Sequence, residues 1–124
     1  MAEPDPRELD EAPDPEELDP EDVKLVTLAR SARARTGAAE GAAVRDTDGR
    51  TYAAGPVDLP SLRLSALQLA VAMAVSAGAP GLEAAAVVTE SSTVDSAGLV
   101  AVRDLAAGAQ VLLAGPDGSL VGRA

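Results

Sequence analysis

The chain contains no cysteine and no histidine. Disulfides and thiolate metal sites are therefore excluded. Any metal would need carboxylates or carbonyls, a donor set that suits magnesium or calcium rather than zinc. General-base chemistry near neutral pH would have to do without its usual side chain. Tryptophan and phenylalanine are also missing, and Tyr52 is the only aromatic residue. Base stacking, the common route to single-stranded nucleic acid, is thus unavailable in quantity. No apolar run is long enough for a transmembrane helix; the longest, Leu64–Ala77, falls short of a bilayer. The N-terminus lacks the basic start and apolar region of a signal peptide, so the expected location is the cytoplasm.

What is present is acid, and it is unevenly placed. The 124 residues carry a formal net charge of −10, from 20 acidic and 10 basic side chains. Met1–Asp22 holds 11 of the acidic residues and a single basic one, Arg7, so the remainder of the chain is neutral. An acidic tail repels nucleic acid and anionic membranes, and neither is expected as a partner. Residues 1–19 are rich in Pro and acid, with a short repeat, Asp5–Asp10 (DPRELD) and Asp14–Asp19 (DPEELD). They hold too few apolar residues to offset ordering entropy, and a disordered tail is predicted there. Its plain role is solubility. A sharper one is docking to a partner, with Leu9 and Leu18 as anchors. Residues 20–124 suffice for one domain with a modest core.

The longest helical pattern is Leu64–Gly78. Apolar residues at Leu64, Leu67, Val71 and Val75, and at Leu69, Ala70 and Met73, wrap more than one face, so a buried helix is predicted. Pro60-Ser61 is read as its opening and Gly78 with Pro80 as its stop. Upstream, Asp19-Pro20-Glu21-Asp22 starts another helix with a capping Asp, Pro at the first position and acids in the first turn. Val23, Leu25, Val26, Leu28, Ala29 and Ala32 form its apolar side, and Gly37 ends it. Arg30, Arg33 and Arg35 suit its C-terminal dipole. Gly41–Arg45 and Arg50–Val57 flank Asp46-Thr47-Asp48-Gly49, a hairpin signal. The acids of that turn lack the pattern of a calcium loop, so they serve turn chemistry. Leu82–Thr89 and Gln110–Ala114 read as buried strands, separated by a helix over Ala97–Ala106 capped by Asp95 or Ser96. Pro116-Asp117-Gly118 then turns into a short return strand, Ser119–Val121.

The order is α-β-β-α-β-α-β-β. Strand–helix–strand alternation in the second half implies a parallel pair with a crossover helix. The predicted fold is α/β in three layers: a mixed sheet of about five strands with helices on its faces.

This order, with Gly41-Ala42-Ala43-Val44, Asp48-Gly49-Arg50, Ala74–Gly78 and Asp117-Gly118, resembles the small cytidine deaminase family over about Asp22–Val121. The resemblance implies that fold, and assembly as a dimer or tetramer through the helices. It also implies zinc held by three ligands, with a Glu moving protons between zinc-bound water and the pyrimidine. The family takes one Cys and the Glu from Cys-Ala-Glu-Arg at the start of the central helix. Pro-Cys-x-x-Cys at the start of the next helix supplies the other two Cys. In this chain the first motif falls on Ser65-Ala66-Leu67-Gln68, with Ser65 for the Cys and Leu67 for the Glu. The second falls on Val94–Gly98, with Asp95 and Gly98 for the two Cys. A ribose-binding Asn-x-Glu falls on Pro56-Val57-Asp58, which keeps only a shorter acid.

The chain is therefore expected to be a non-catalytic deaminase-like protein with no cofactor, serving as an interaction or regulatory module. A homo-oligomer and an unidentified protein partner are its expected partners. A second reading keeps the old pocket for a nucleoside or other small ligand, with Asp58, Tyr52 and Glu90 as contacts. A third is an enzyme of unrelated mechanism using Asp58, Asp95 or Glu90 with a hard cation. Deaminase-type hydrolysis by family descent is disfavoured for want of the zinc ligands. Each residue also has a structural role to weigh: Asp58 and Glu90 as solvated loop acids, Asp95 as a helix cap, Ser65 as a small packed residue, Tyr52 as a half-buried strand residue.

Overall fold

A computed structural model of the chain describes residues 18–124, and the sequence reading of residues 1–17 lies outside them. Helix α1 spans Pro20–Thr36 and begins as its sequence dictates. The Asp19 carboxylate accepts the Asp22 N–H at 2.9 Å, and Pro20 occupies the first turn, where no N–H is needed. Strands β1 (Glu40–Asp46) and β2 (Thr51–Ala54) follow, then β3 (Val57–Leu59) and β4 (Leu62–Leu64). Helix α2 (Ala66–Ser76), strand β5 (Leu82–Thr89), helix α3 (Ser96–Leu105), and strands β6 (Gln110–Ala114) and β7 (Leu120–Arg123) complete the described chain.

Five strands form one mixed sheet in the order β2-β1-β5-β6-β7. β1 pairs antiparallel with both β2 and β5, β5 pairs parallel with β6, and β7 returns antiparallel on β6. The parallel pair is joined through α3, as the strand–helix–strand alternation requires. Period-2 alternation then divides the core in two. Ala42, Val44, Ala85, Val87, Val111 and Leu113 face α2 and α3. Ala43, Ala84, Ala86, Val88, Leu112 and Ala114 face α1 through Leu25, Val26 and Ala29. The expected three-layer α/β architecture is the observed one.

Alanine dominates both faces, so the helices lie close to the sheet. Gly41 marks the closest approach: a Cβ there would stand 2.2 Å from the Ala29 carbonyl oxygen and 2.6 Å from the Arg33 nitrogen. Beside it, Arg45 ties the start of α1 to the sheet. It is paired with Asp22 at 3.1 Å and Glu83 at 2.9 Å, and donates to the Glu21 carbonyl. Burial works against the Arg45 charge, but its two carboxylate partners outweigh that and raise its pKa.

Three details differ from the sequence reading. Pro60-Ser61 does not open the central helix; it is the two-residue turn of a separate β3–β4 hairpin, with Leu59 opposite Leu62. The helix starts at a capping box instead, Ser65 with Gln68. Second, α2 is buried on one side only. Ala66, Leu67, Ala70, Val71 and Ala74 are buried, whereas Met73 and Val75 are 38% and 53% exposed. One sheet face and one neighbouring helix cannot cover a cylinder all round. Third, Val23 at the start of α1 is 49% exposed instead of buried with the rest of the apolar side.

Candidate functional site

Helices α2 and α3 pack side by side on one sheet face and bring their N-termini together at Leu67 and Gly98. Leu67 sits at the second helical position of α2 and is 1% exposed. Gly98 is buried on the first turn of α3. A Cβ on Gly98 would lie 2.7 Å from Leu67 Cβ and 3.0 Å from Leu67 Cδ2. The leucine therefore fills the space between the two helix starts, and only a residue without a side chain fits opposite it.

Four N–H groups at the two helix starts are taken up by side chains of the chain itself. Ser65 Oγ accepts the Gln68 N–H at 3.1 Å, and Gln68 Oε1 accepts the Ser65 N–H at 3.0 Å. Glu40, at the first position of β1, reaches across to accept the Ala66 N–H at 3.0 Å. On α3, Asp95 Oδ2 accepts the Gly98 N–H at 2.6 Å. Asp95 thus takes the cap position, with Ser96 inside the helix.

Each of the three ligand candidates of the sequence reading bonds a different partner. Asp58 is on the outer hairpin, 86% exposed and paired at 3.2 Å with an equally open Arg63. Glu90 follows β5, is 81% exposed, and lies 3.9 Å from Arg33. Tyr52 is half-buried on β2 opposite Val44, which pairs in turn with Ala85. Five residues of strand separate Ala85 from Glu90, so Tyr52 and Glu90 are held about 16 Å apart along the sheet. Tyr52 instead joins Leu69, Ala72 and Met73 around an open, mainly apolar groove of about 520 Å³ on the outer side of α2.

Two polar residues outside that candidate set are central to the structure. Glu40 had no local signal, because its partner is 26 positions away. Asp46 is legible as a turn residue, but its burial is not. Its side chain is fully buried, with Oδ1 accepting the N–H groups of Asp48 and Arg50 and Oδ2 accepting the Tyr52 hydroxyl, all at 2.9 Å. Burial pushes its carboxyl upward, yet the donors from Arg50, Tyr52 and Asp48 prevail and hold it below the ordinary carboxylate value. Among the described residues, no three or more Asp or Glu side chains group as a metal site would require. None of the described helices is long and apolar enough to cross a membrane.

A search of curated protein sequences gave no match. Among solved structures, the 1.6 Å crystal structure of cytidine deaminase from Burkholderia pseudomallei superposes with a TM-score of 0.71. The match covers 82% of this chain and 89% of that one at 24% identity, which establishes likeness of fold. The family model described as cytidine deaminase-like matches residues 18–118, most of the length. The chain belongs to the cytidine deaminase-like family.

Proposed function

We propose that this chain is a non-catalytic member of that family, serving as an interaction or regulatory module. The observation that carries this reading is the contact of Leu67 with Gly98. In the likeness to small cytidine deaminases, these two residues and Ser65 and Asp95 fall where zinc ligands and the proton-carrying Glu are needed. The residues present do not fit zinc. Serine and one carboxylate are poor donors for it, glycine offers none, and no thiol or imidazole exists anywhere in the chain. Asp95 is already committed to the Gly98 N–H. Leucine carries no proton, and here it packs directly against Gly98.

A domain closed in this way can still act through its surface. Helix α2 carries no charged residue, and it leaves Met73 and Val75 open to solvent. A neutral apolar face of this kind supports self-association, and a dimer or tetramer is the assembly proposed.

The test is thermal unfolding of the full chain with millimolar pyrimidine and purine nucleosides, alongside a measurement of ammonia release from cytidine with added zinc. Neither a shift nor ammonia is expected. A ligand at a hundred times its Kd would add about 2.7 kcal/mol of stability, a plainly visible change in Tm. A nucleoside-specific shift would move the reading to a binding module, and ammonia release would overturn it altogether.

A further inference from the structure

We infer that the first copy of the N-terminal repeat, centred on Leu9, docks back in cis onto a groove between the start of α1 and the β6–β7 turn. The groove holds about 310 Å³. Its apolar wall is formed by Leu18, Val23, Val26 and Leu120, and its polar rim includes Arg30 and Ser119. Val26 and Leu120 are nearly buried, but Val23 is 49% exposed, so apolar surface remains uncovered beside a formed floor.

Two observations select the occupant. The described chain begins inside this groove, since Leu18 is one of its walls and packs on the α1-side core. Leu18 is also the leucine of the second repeat copy, Asp14-Pro15-Glu16-Glu17-Leu18-Asp19, and Leu9 holds the same place in Asp5-Pro6-Arg7-Glu8-Leu9-Asp10. One copy of the motif thus already shows its leucine seated against this surface. Charge does not select between occupants: Arg7 stands beside Glu8 and Asp10 in the repeat, and the rim sets Asp117 against Arg30.

The tether makes a modest contact sufficient. Nine residue steps separate Leu9 from Leu18, a reach of about 30 Å when extended, well beyond what the groove demands. A short intramolecular tether supplies an effective concentration in the millimolar range, so the groove fills without high intrinsic affinity. This inference is independent of what has become of the α2–α3 junction.

Because the chain has no cysteine, Glu8→Cys gives a single attachment point for a nitroxide in the full-length protein. Paramagnetic broadening of ¹⁵N amide signals is the readout. Several-fold stronger broadening is expected at Thr27, Gly118 and Ser119 than at Val75 on the opposite sheet face. Leu9→Asp in the same labelled chain is expected to abolish that contrast and leave the remaining spectrum in place. Equal broadening at both faces would overturn the proposal, as would a contrast that survives Leu9→Asp. Mixing spin-labelled unenriched chain with unlabelled ¹⁵N chain covers the remaining possibility. Broadening at the groove in that mixed sample would assign the occupant to a second copy, and the docking in cis would be wrong.

Discussion

The Tyr52 hydroxyl donates to Asp46 Oδ2 at 2.9 Å, across the hairpin that joins β1 to β2. The only aromatic side chain of the protein thereby completes the hydrogen-bonding of its one fully buried carboxylate among the described residues. Each group shifts the other. Burial, then the Asp46 hydrogen bond and charge, raise the Tyr52 pKa, and Asp46 itself is lowered. Tyr52→Phe removes a donor from a buried oxygen and is expected to lower Tm by roughly 4–8 °C. Calorimetry or circular dichroism would measure it.

The same pair sets a pH dependence at both extremes. Asp46 has a folded pKa below its unfolded value of about 3.9. Its stabilisation is complete above that value and is lost as pH falls through the lowered one. Tyr52 has a folded pKa above its unfolded value of about 10. Its contribution is complete below pH 10 or so, and is lost as pH rises through the raised value. With no other tyrosine and no tryptophan, ultraviolet titration of the phenol reads Tyr52 directly. Asp46→Asn is expected to bring that titration back toward the ordinary value and to flatten the acid limb of Tm against pH. An unchanged phenol titration in Asp46→Asn would contradict the coupling.

Leu67 and Gly98 are expected to behave as one packing unit. Leu67→Ala should cost about 2–5 kcal/mol by opening a cavity. Gly98→Ala should cost about 1–3 kcal/mol by overpacking, since its new Cβ meets Leu67 Cβ at 2.7 Å and Asp95 Oδ2 at 2.8 Å. The double variant should be somewhat less destabilised than the sum of the two, because truncation at 67 removes the Cδ2 atom that would stand 3.0 Å from the new methyl, while the contacts with the residue 67 Cβ and Asp95 remain. Denaturant unfolding of the three variants checks this, and strict additivity would show that the two residues do not share the junction.

Gly41→Ala places a methyl group against rigid backbone rather than against a pliable side chain. The Ala29 carbonyl would be 2.2 Å away, so α1 must lift from β1. A loss of at least about 3 kcal/mol is expected, near the upper end for a single substitution. Hydrogen exchange should show the loss concentrated in α1. Near-native stability would mean that α1 has room to shift.

Met73→Asp would put a charge on the uncharged outer face of α2, at a side chain that is 38% exposed. If that face makes the proposed assembly, light scattering should show a smaller particle while Tm of the monomeric fold changes little. An unchanged mass would remove α2 from the interface.

Much of the fold was legible because it rests on local rules. The cap at Asp19, the Pro at the first turn, the Asp46–Gly49 hairpin and the Asp95 cap are short-range hydrogen-bonding preferences, readable within four residues. Strand periodicity and the helix between β5 and β6 fixed the parallel pair. The chain's lack of thiol and imidazole likewise bounded its metal chemistry with no structure needed. Pro60-Ser61 misled because Pro suits a helix start and a tight turn equally well, and only pairing of Leu59 with Leu62 decides between them.

What the tertiary structure alone decided is which faces meet. An apolar pattern says that Leu67 prefers burial, but not that Gly98 is the residue it packs against. It marks α2 as hydrophobic on several sides, but not that Met73 and Val75 stay uncovered. The reach of Glu40 to the Ala66 N–H joins residues 26 apart, and the pairing of Arg45 with Glu83 spans 38. Contacts of that length are set by sheet register and helix packing, which depend on the whole chain at once. Local residue preferences reach only a turn or two.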